Sequence, residues 1–244
     1  ASVYDCMERT GKKEGILFID EINCVSETLA PTMLQFLQNK TFGSHSVPEG
    51  WLIAAAGNPP EYNKSVREFD IVTLDRVRRM DIEADLDVWM EYAWKKEIHG
   101  SILAYLGMKK DHFYSVENTV DGKFFVTARG WEDLSEILKA YEELGVEITE
   151  NLIGEYLCRD EIARSYFASY QLYRKYGEDY GLKRLLSGEM AEEEQQKKVK
   201  MAEGASFEER FLVTGLLLSG LNGSFLDYEK LDKETGAVYQ ELLH

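Results

Sequence analysis

Apolar residues along the chain come in blocks whose length and period separate strands from helices. "ILFID", residues 16–20, is a short branched and aromatic run, which predicts a strand buried on both faces. Between Ser26 and Asn39, the residues Leu29, Met33, Leu34 and Leu37 share one helical face, with Ser26 as cap and Pro31 in the first turns. "NKTFGSHSVPEG", residues 39–50, has turn chemistry around one short extended stretch. "WLIAAAGN", residues 51–58, reads as a second buried strand whose small residues leave room for close packing. Strand, helix and strand at this spacing make a βαβ unit, so the sheet is expected to be mostly parallel and covered by helices. "VREFDIVTLDRV", residues 66–77, predicts a helix, and "RRMDIEA", residues 78–84, a short closing strand.

Beyond residue 84 the period becomes helical. Residues 85–107 place Leu86, Met90, Ala93, Trp94 and Ile98 on one side of a helix. Residues 112–130 are irregular or form a small hairpin around Asp121-Gly122, and residues 131–145 and 149–180 return to helix. Tyrosines at 166, 170, 173, 176 and 180 recur at helical spacing and predict a packing face rather than a ligand cage. The section 186–206 is strongly charged, with Glu193–Lys197 and Glu194–Lys198 at i,i+4, and reads as a solvated helix or linker. A last helix is expected over about 207–221, followed by a polar tail.

Composition narrows the function classes. The 244 residues carry a formal charge of −16, which disfavours a general nucleic-acid surface. Cys6, Cys24 and Cys158 are far apart, so neither a zinc knuckle nor a disulfide framework is suggested and a reducing cytoplasm fits. His45, His99, His112 and His244 show no metal-ligand spacing. No apolar run reaches the length of a membrane span.

The chemistry concentrates where the two predicted strands end. Asp20 and Glu21 close the first and Asn58 closes the second. In a parallel α/β sheet, ligands bind outside the carboxyl ends of the strands. Two acids and an amide at one rim suit a metal–phosphate site: one acid supports a hydrated Mg²⁺, the other orients or deprotonates water, and the amide fixes that water.

These residues carry a resemblance. "ILFIDE" resembles the Walker B element of AAA+ ATPases, and "AAAGNPPEYN" their sensor 1 strand. "VTLDRVRRMDI" is similar to the helix end that presents an arginine finger, and "VTARGWEDLSEIL" to the sensor 2 opening of a lid helix. The order and spacing cover roughly residues 1–140, and "LQFLQNKTFGSHSVPEGWLIAAAGNPP" most resembles the MoxR-like branch, with a hairpin between Walker B and sensor 1. The resemblance implies an ATP- and Mg²⁺-dependent site: Asp20 for the ion, Glu21 for water, Asn58 as sensor 1 and Arg129 as sensor 2. Arg76 would be the finger on a neighbouring subunit's nucleotide, in competition with Arg78 and Arg79.

The resemblance further implies an α/β fold: a partial P-loop NTPase core over residues 1–83, a helical lid over 84–185, and a charged linker with helical extension over 186–244. It also implies a homo-oligomeric ring acting on a client protein. One element is missing, since no GxxxxGK[ST] loop occurs; "RTGKKEG", residues 9–15, has a GK pair without the first glycine or the Ser/Thr. A fragment of a longer motor, inactive alone, is therefore expected. A non-catalytic scaffold or adaptor with a degenerate half-domain, and a DNA-directed motor, are the alternatives.

Overall fold

A computed structural model describes residues 3–26, 28–59, 75, 77–119 and 122–242. They form an α/β chain that divides into two compact units, Ala1–Ile82 and Glu83–His244. In the first unit, helix α1 (Val3–Thr10) leads into β1 (Gly15–Ile19), α2 (Ala30–Asn39), the short strands β2 (Thr41–Phe42) and β3 (His45–Ser46), and β4 (Trp51–Ala55). β1 and β4 pair in parallel, in register from Gly15↔Trp51 to Ile19↔Ala55. β2 and β3 make a two-residue antiparallel hairpin within the segment read as turn-rich.

The parallel pair carries the expected βαβ order, but not the expected double burial. Side chains alternate across a sheet, so Ile16 and Phe18 of β1 share a face with Leu52 of β4, and all three are exposed. Only Ile22, Phe36 and Trp51 are buried apolar residues among those described in this unit. Helix α2 starts four residues after Ser26. The Ser26 carbonyl accepts from the N–H groups of Leu29 and Ala30, while Pro31 occupies the first turn. Residues 78–84 form no strand: Met80 and Ile82 are exposed and Arg79 pairs with Asp81 on the surface. The helix expected over 66–77 falls almost wholly outside the described residues.

The second unit is helical around one hairpin. It comprises α3 (Leu86–Lys95), α4 (Gly100–Met108), β5 (Ser115–Thr119), β6 (Gly122–Val126), α5 (Ala128–Leu144) and α6 (Glu150–Tyr156). It continues with α7 (Asp160–Asp179), α8 (Leu182–Leu186), α9 (Glu192–Glu203) and α10 (Phe207–Leu242). The single helix expected over 85–107 is two. Glu97 takes φ 54°, a left-handed conformation that ends α3, and the His99 ring accepts from the Ser101 N–H to start α4. α10 runs to Leu242 rather than stopping near 221, because no proline follows residue 60 to interrupt its hydrogen-bond ladder.

The core of this unit centres on Trp131, Tyr105, Tyr166 and Leu134, all fully enclosed. Trp131 packs edge-on against Tyr166 with ring centroids 5.3 Å apart, and its indole N–H donates to the Phe113 carbonyl at 3.1 Å. The tyrosine stripe of α7 is packed within the chain: Tyr166, Tyr170, Tyr173 and Tyr180 are buried and Tyr176 joins them at the edge. α10 packs on α4, α7 and α8, so the section read as an extension is bound into the second unit. Glu194 of α9 pairs with Arg184 in a two-pronged bond of 3.0 Å per arm, not with Lys198.

Candidate functional site

The exits of β1 and β4 stay side by side past their last strand pair. The Ala56 N–H donates to the Ile19 carbonyl at 2.8 Å, and the Ile22 N–H donates back to the Ala56 carbonyl at 3.0 Å. Between these two bonds the chain turns sharply. Glu21 adopts φ 51°, uncommon and costly for a side chain of its kind, and its carbonyl accepts from the Cys24 N–H at 2.9 Å. Buried Ile22 anchors the turn. Asp20 steadies it by accepting the Glu21 N–H on Oδ1 at 2.9 Å. The result is a rim at the carboxyl ends of two adjacent parallel strands, where Asp20, Glu21 and Asn58 are all exposed.

A residue to which the sequence reading assigned no role ties this rim together. Asn23 Nδ2 donates to the Asn58 carbonyl at 2.8 Å, fixing the β4 exit against the β1 exit. Asn23 Oδ1 is buried and has no hydrogen-bond partner among the described residues. Gly57 permits this approach, because a Cβ there would lie 2.5 Å from Asn23 Oδ1. Asparagine two residues after the paired acids was the available signal, and it is also an ordinary turn residue.

Asp20 and Glu21 form no ion pair among the described residues, and both are exposed. That donor set matches how Mg²⁺ is usually held, through one or two carboxylates with water and phosphate completing the shell. No cluster of three or more His, Cys, Asp or Glu side chains that could enclose a metal occurs among the described residues.

The arginines fall in other segments of the chain. Arg76 lies outside the described residues. Arg78 and Arg79 are exposed in the irregular segment, with Arg79 Nε donating to Asp81 Oδ1 at 2.8 Å. Arg129 belongs to the second unit, exposed in the first turn of α5, whose start is capped by Thr127 Oγ1 accepting from the Gly130 N–H at 3.1 Å.

The second unit also holds a polar network unforeseen from the sequence. His99 Nε2 meets Glu142 Oε2 at 3.1 Å, and His99 Nδ1 meets Ser101 Oγ at 2.7 Å. Ser101 Oγ in turn meets the Tyr166 hydroxyl at 2.6 Å, and Tyr170 donates to Glu142 Oε1 at 2.8 Å. Burial pushes the Glu142 carboxyl up, yet bonds from His99 and Tyr170 and the nearby Arg174 charge outweigh it and hold it below its ordinary value. The network borders a cleft of about 960 Å³. Its groups satisfy one another, so it serves to lock α4, α5 and α7 together.

No described helix is long and apolar enough to cross a membrane. No protein-family model, curated protein or solved structure matches the chain.

Proposed function

We propose that the rim at Asp20, Glu21 and Asn58 is the metal-and-water side of a nucleotide site, and that the chain is part of an ATP-hydrolysing, MoxR-like AAA+ remodelling motor. The observation that carries this reading is the parallel pairing of β1 with β4. It sets paired acids and an asparagine at neighbouring strand ends, tied by the Asn23–Asn58 bond. Asp20 would support Mg²⁺ through its water shell, which would supply charge neutralisation at the phosphates. Glu21, solvated and held at a sharp turn, would accept a proton from an attacking water, and Asn58 would orient that water by its amide. Arg129 would contribute positive charge from the helical unit, and Arg76 would do so toward a neighbouring subunit's nucleotide.

This reading requires a phosphate-cradling loop from outside these 244 residues. The 244-residue chain should accordingly show no upward thermal shift with millimolar MgATP. In the full-length gene product, Glu21→Gln should bind ATP as tightly as the parent and lose ATP turnover by about 10²-fold or more. Undiminished turnover removes Glu21 from its role. An exposed apolar sheet face formed by Ile16, Phe18 and Leu52 favours the motor over a free-standing adaptor, because a buried parallel sheet needs cover on both faces.

A further inference from the structure

α10 is apolar on two opposite faces. Leu212, Val213 and Leu216 are turned into the second unit, where Gly215 passes so close to Ala104 that a Cβ there would sit 2.9 Å from the alanine methyl. On the same inner side, Asn222 Nδ2 donates to the Trp94 carbonyl at 3.1 Å. The other face carries Phe207, Phe211, Thr214, Leu218, Leu221, Phe225 and Tyr228. Their spacing is 4-3-4-3-4-3, the a/d repeat of a coiled-coil seam, apolar at every position except Thr214. Five are open to solvent: Phe207 at 74%, Leu218 at 51%, Leu221 at 57%, Phe225 at 61% and Tyr228 at 67%.

The seam has two unlike halves. Its N-terminal half borders an apolar cavity of about 410 Å³, walled by Met90, Trp94 and Leu103 together with Phe207, Phe211 and Leu218. Its C-terminal half offers exposed aromatic knobs, Phe225 and Tyr228, on the same helix face. A cavity and the groups to fill it, placed on one face of one helix, are self-complementary only when two copies run antiparallel. The geometry points to an isologous dimer of this chain, formed by α10 packing antiparallel against α10 of a second copy about a two-fold axis near Leu218. Phe207 then lies opposite Tyr228 of the other copy, Phe211 opposite Phe225, Thr214 opposite Leu221, and Leu218 meets its own equivalent. Phe225 and Tyr228 of each copy cover the cavity of the other.

The area suffices. With roughly 150–250 Å² for a whole aromatic side chain, the five exposed residues present on the order of 600 Å² per chain, so the pair buries about 1,200 Å², the lower bound of a stable specific interface. Each chain carries −16, so added salt screens the repulsion and tightens an association held by apolar contact.

Sedimentation equilibrium of the 244-residue chain tests this. The expected result is a reversible monomer–dimer equilibrium at micromolar concentration that strengthens with salt. Leu221→Asp with Phe225→Asp should weaken it by about 100-fold or more. Both sites are exposed, so the far-UV circular dichroism spectrum should stay at the parent shape. Cysteine cross-linking then fixes the direction. Leu218→Cys joins to its equivalent, whereas Phe225→Cys joins only to Phe211→Cys of a second copy. A parent chain that stays monomeric at ~100 µM, association untouched by the double aspartate substitution, or a Phe225→Cys homodimer overturns the proposal.

Discussion

Three tyrosines on one helix make the second unit sensitive to alkali in a calculable way. Burial raises the hydroxyls of Tyr166, Tyr170 and Tyr173 above the ordinary phenol value; the Glu142 charge adds to all three, while Ser101 and Ser219 bonds partly offset it at Tyr166 and Tyr173. In the unfolded chain the same groups ionise near pH 10. Their contribution is therefore complete below about pH 10 and is lost as pH climbs toward the native values. In that window the unfolded chain holds three fewer protons than the native one. At about 1.4 kcal/mol per proton and pH unit, stability falls by roughly 4 kcal/mol for each unit above pH 10. At that slope, about one to four units exhaust the 5–15 kcal/mol typical of a domain. Tyrosinate absorbance and far-UV circular dichroism, followed together from pH 9 to 12, should show a late cooperative step in which these tyrosines ionise as helix is lost. Independent ionisation of all 14 tyrosines around pH 10 with helix intact at pH 12 would refute the packing account.

Other outcomes follow from single contacts. Trp131→Ala removes an indole enclosed by Tyr105 and Tyr166 and should cost about 3–5 kcal/mol by denaturant unfolding. Glu142 titrates below its ordinary value, so the stability it adds is whole above about pH 4.5 and fades as pH drops through the native value; Glu142→Gln should flatten the acid limb of a pH–melting curve. Gly57→Ala places a Cβ against Asn23 and breaks its bond to Asn58, so the Ile22 amide, bonded to Ala56, should exchange its hydrogen about 10-fold faster. Exchange at the parent rate would mean the rim does not depend on that contact.

Legibility in the sequence followed the range of the forces involved. β1, β4 and the tyrosine face of α7 were readable because local period and apolar content decide them. The break between α3 and α4 was not: it depends on Glu97 reaching a left-handed conformation and on the His99 ring capping α4, and His99 is held by Glu142 and Tyr170 from distant parts of the chain. α10 was underestimated because the polar residues after Leu221 resemble a tail, although nothing there breaks a helix. At the rim, the residue types of Asp20, Glu21 and Asn58 pointed to strand ends, and pairing in the structure puts those ends together. Asn23 escaped notice because its partner is a backbone carbonyl 35 residues away, which carries no side-chain signature.

The uneven burial of the two units bears on what the rim is for. The second unit encloses an aromatic core and a satisfied polar network, as expected of a part that holds its own shape. The first unit has a parallel sheet of just two strands, β1 and β4, among the described residues, beside the short β2–β3 hairpin, and leaves Ile16, Phe18 and Leu52 to water. Exposing those side chains forfeits roughly 1.5–3 kcal/mol each relative to burial, a sizeable share of a typical domain's stability. Further strands and helices laid over that face would recover it and enclose the rim. Enclosure matters for the proposed chemistry, since carboxylates and arginines act on a phosphoryl group far more strongly where bulk water is excluded than at an open edge. On the proposed function, one covering layer would stabilise the sheet and shield the acids from water at the same time. Supplying a phosphate-loop segment in trans or in cis should protect the amides of β1 and β4 from hydrogen exchange as it brings ATP turnover. Turnover gained without that protection would separate the two and defeat the argument.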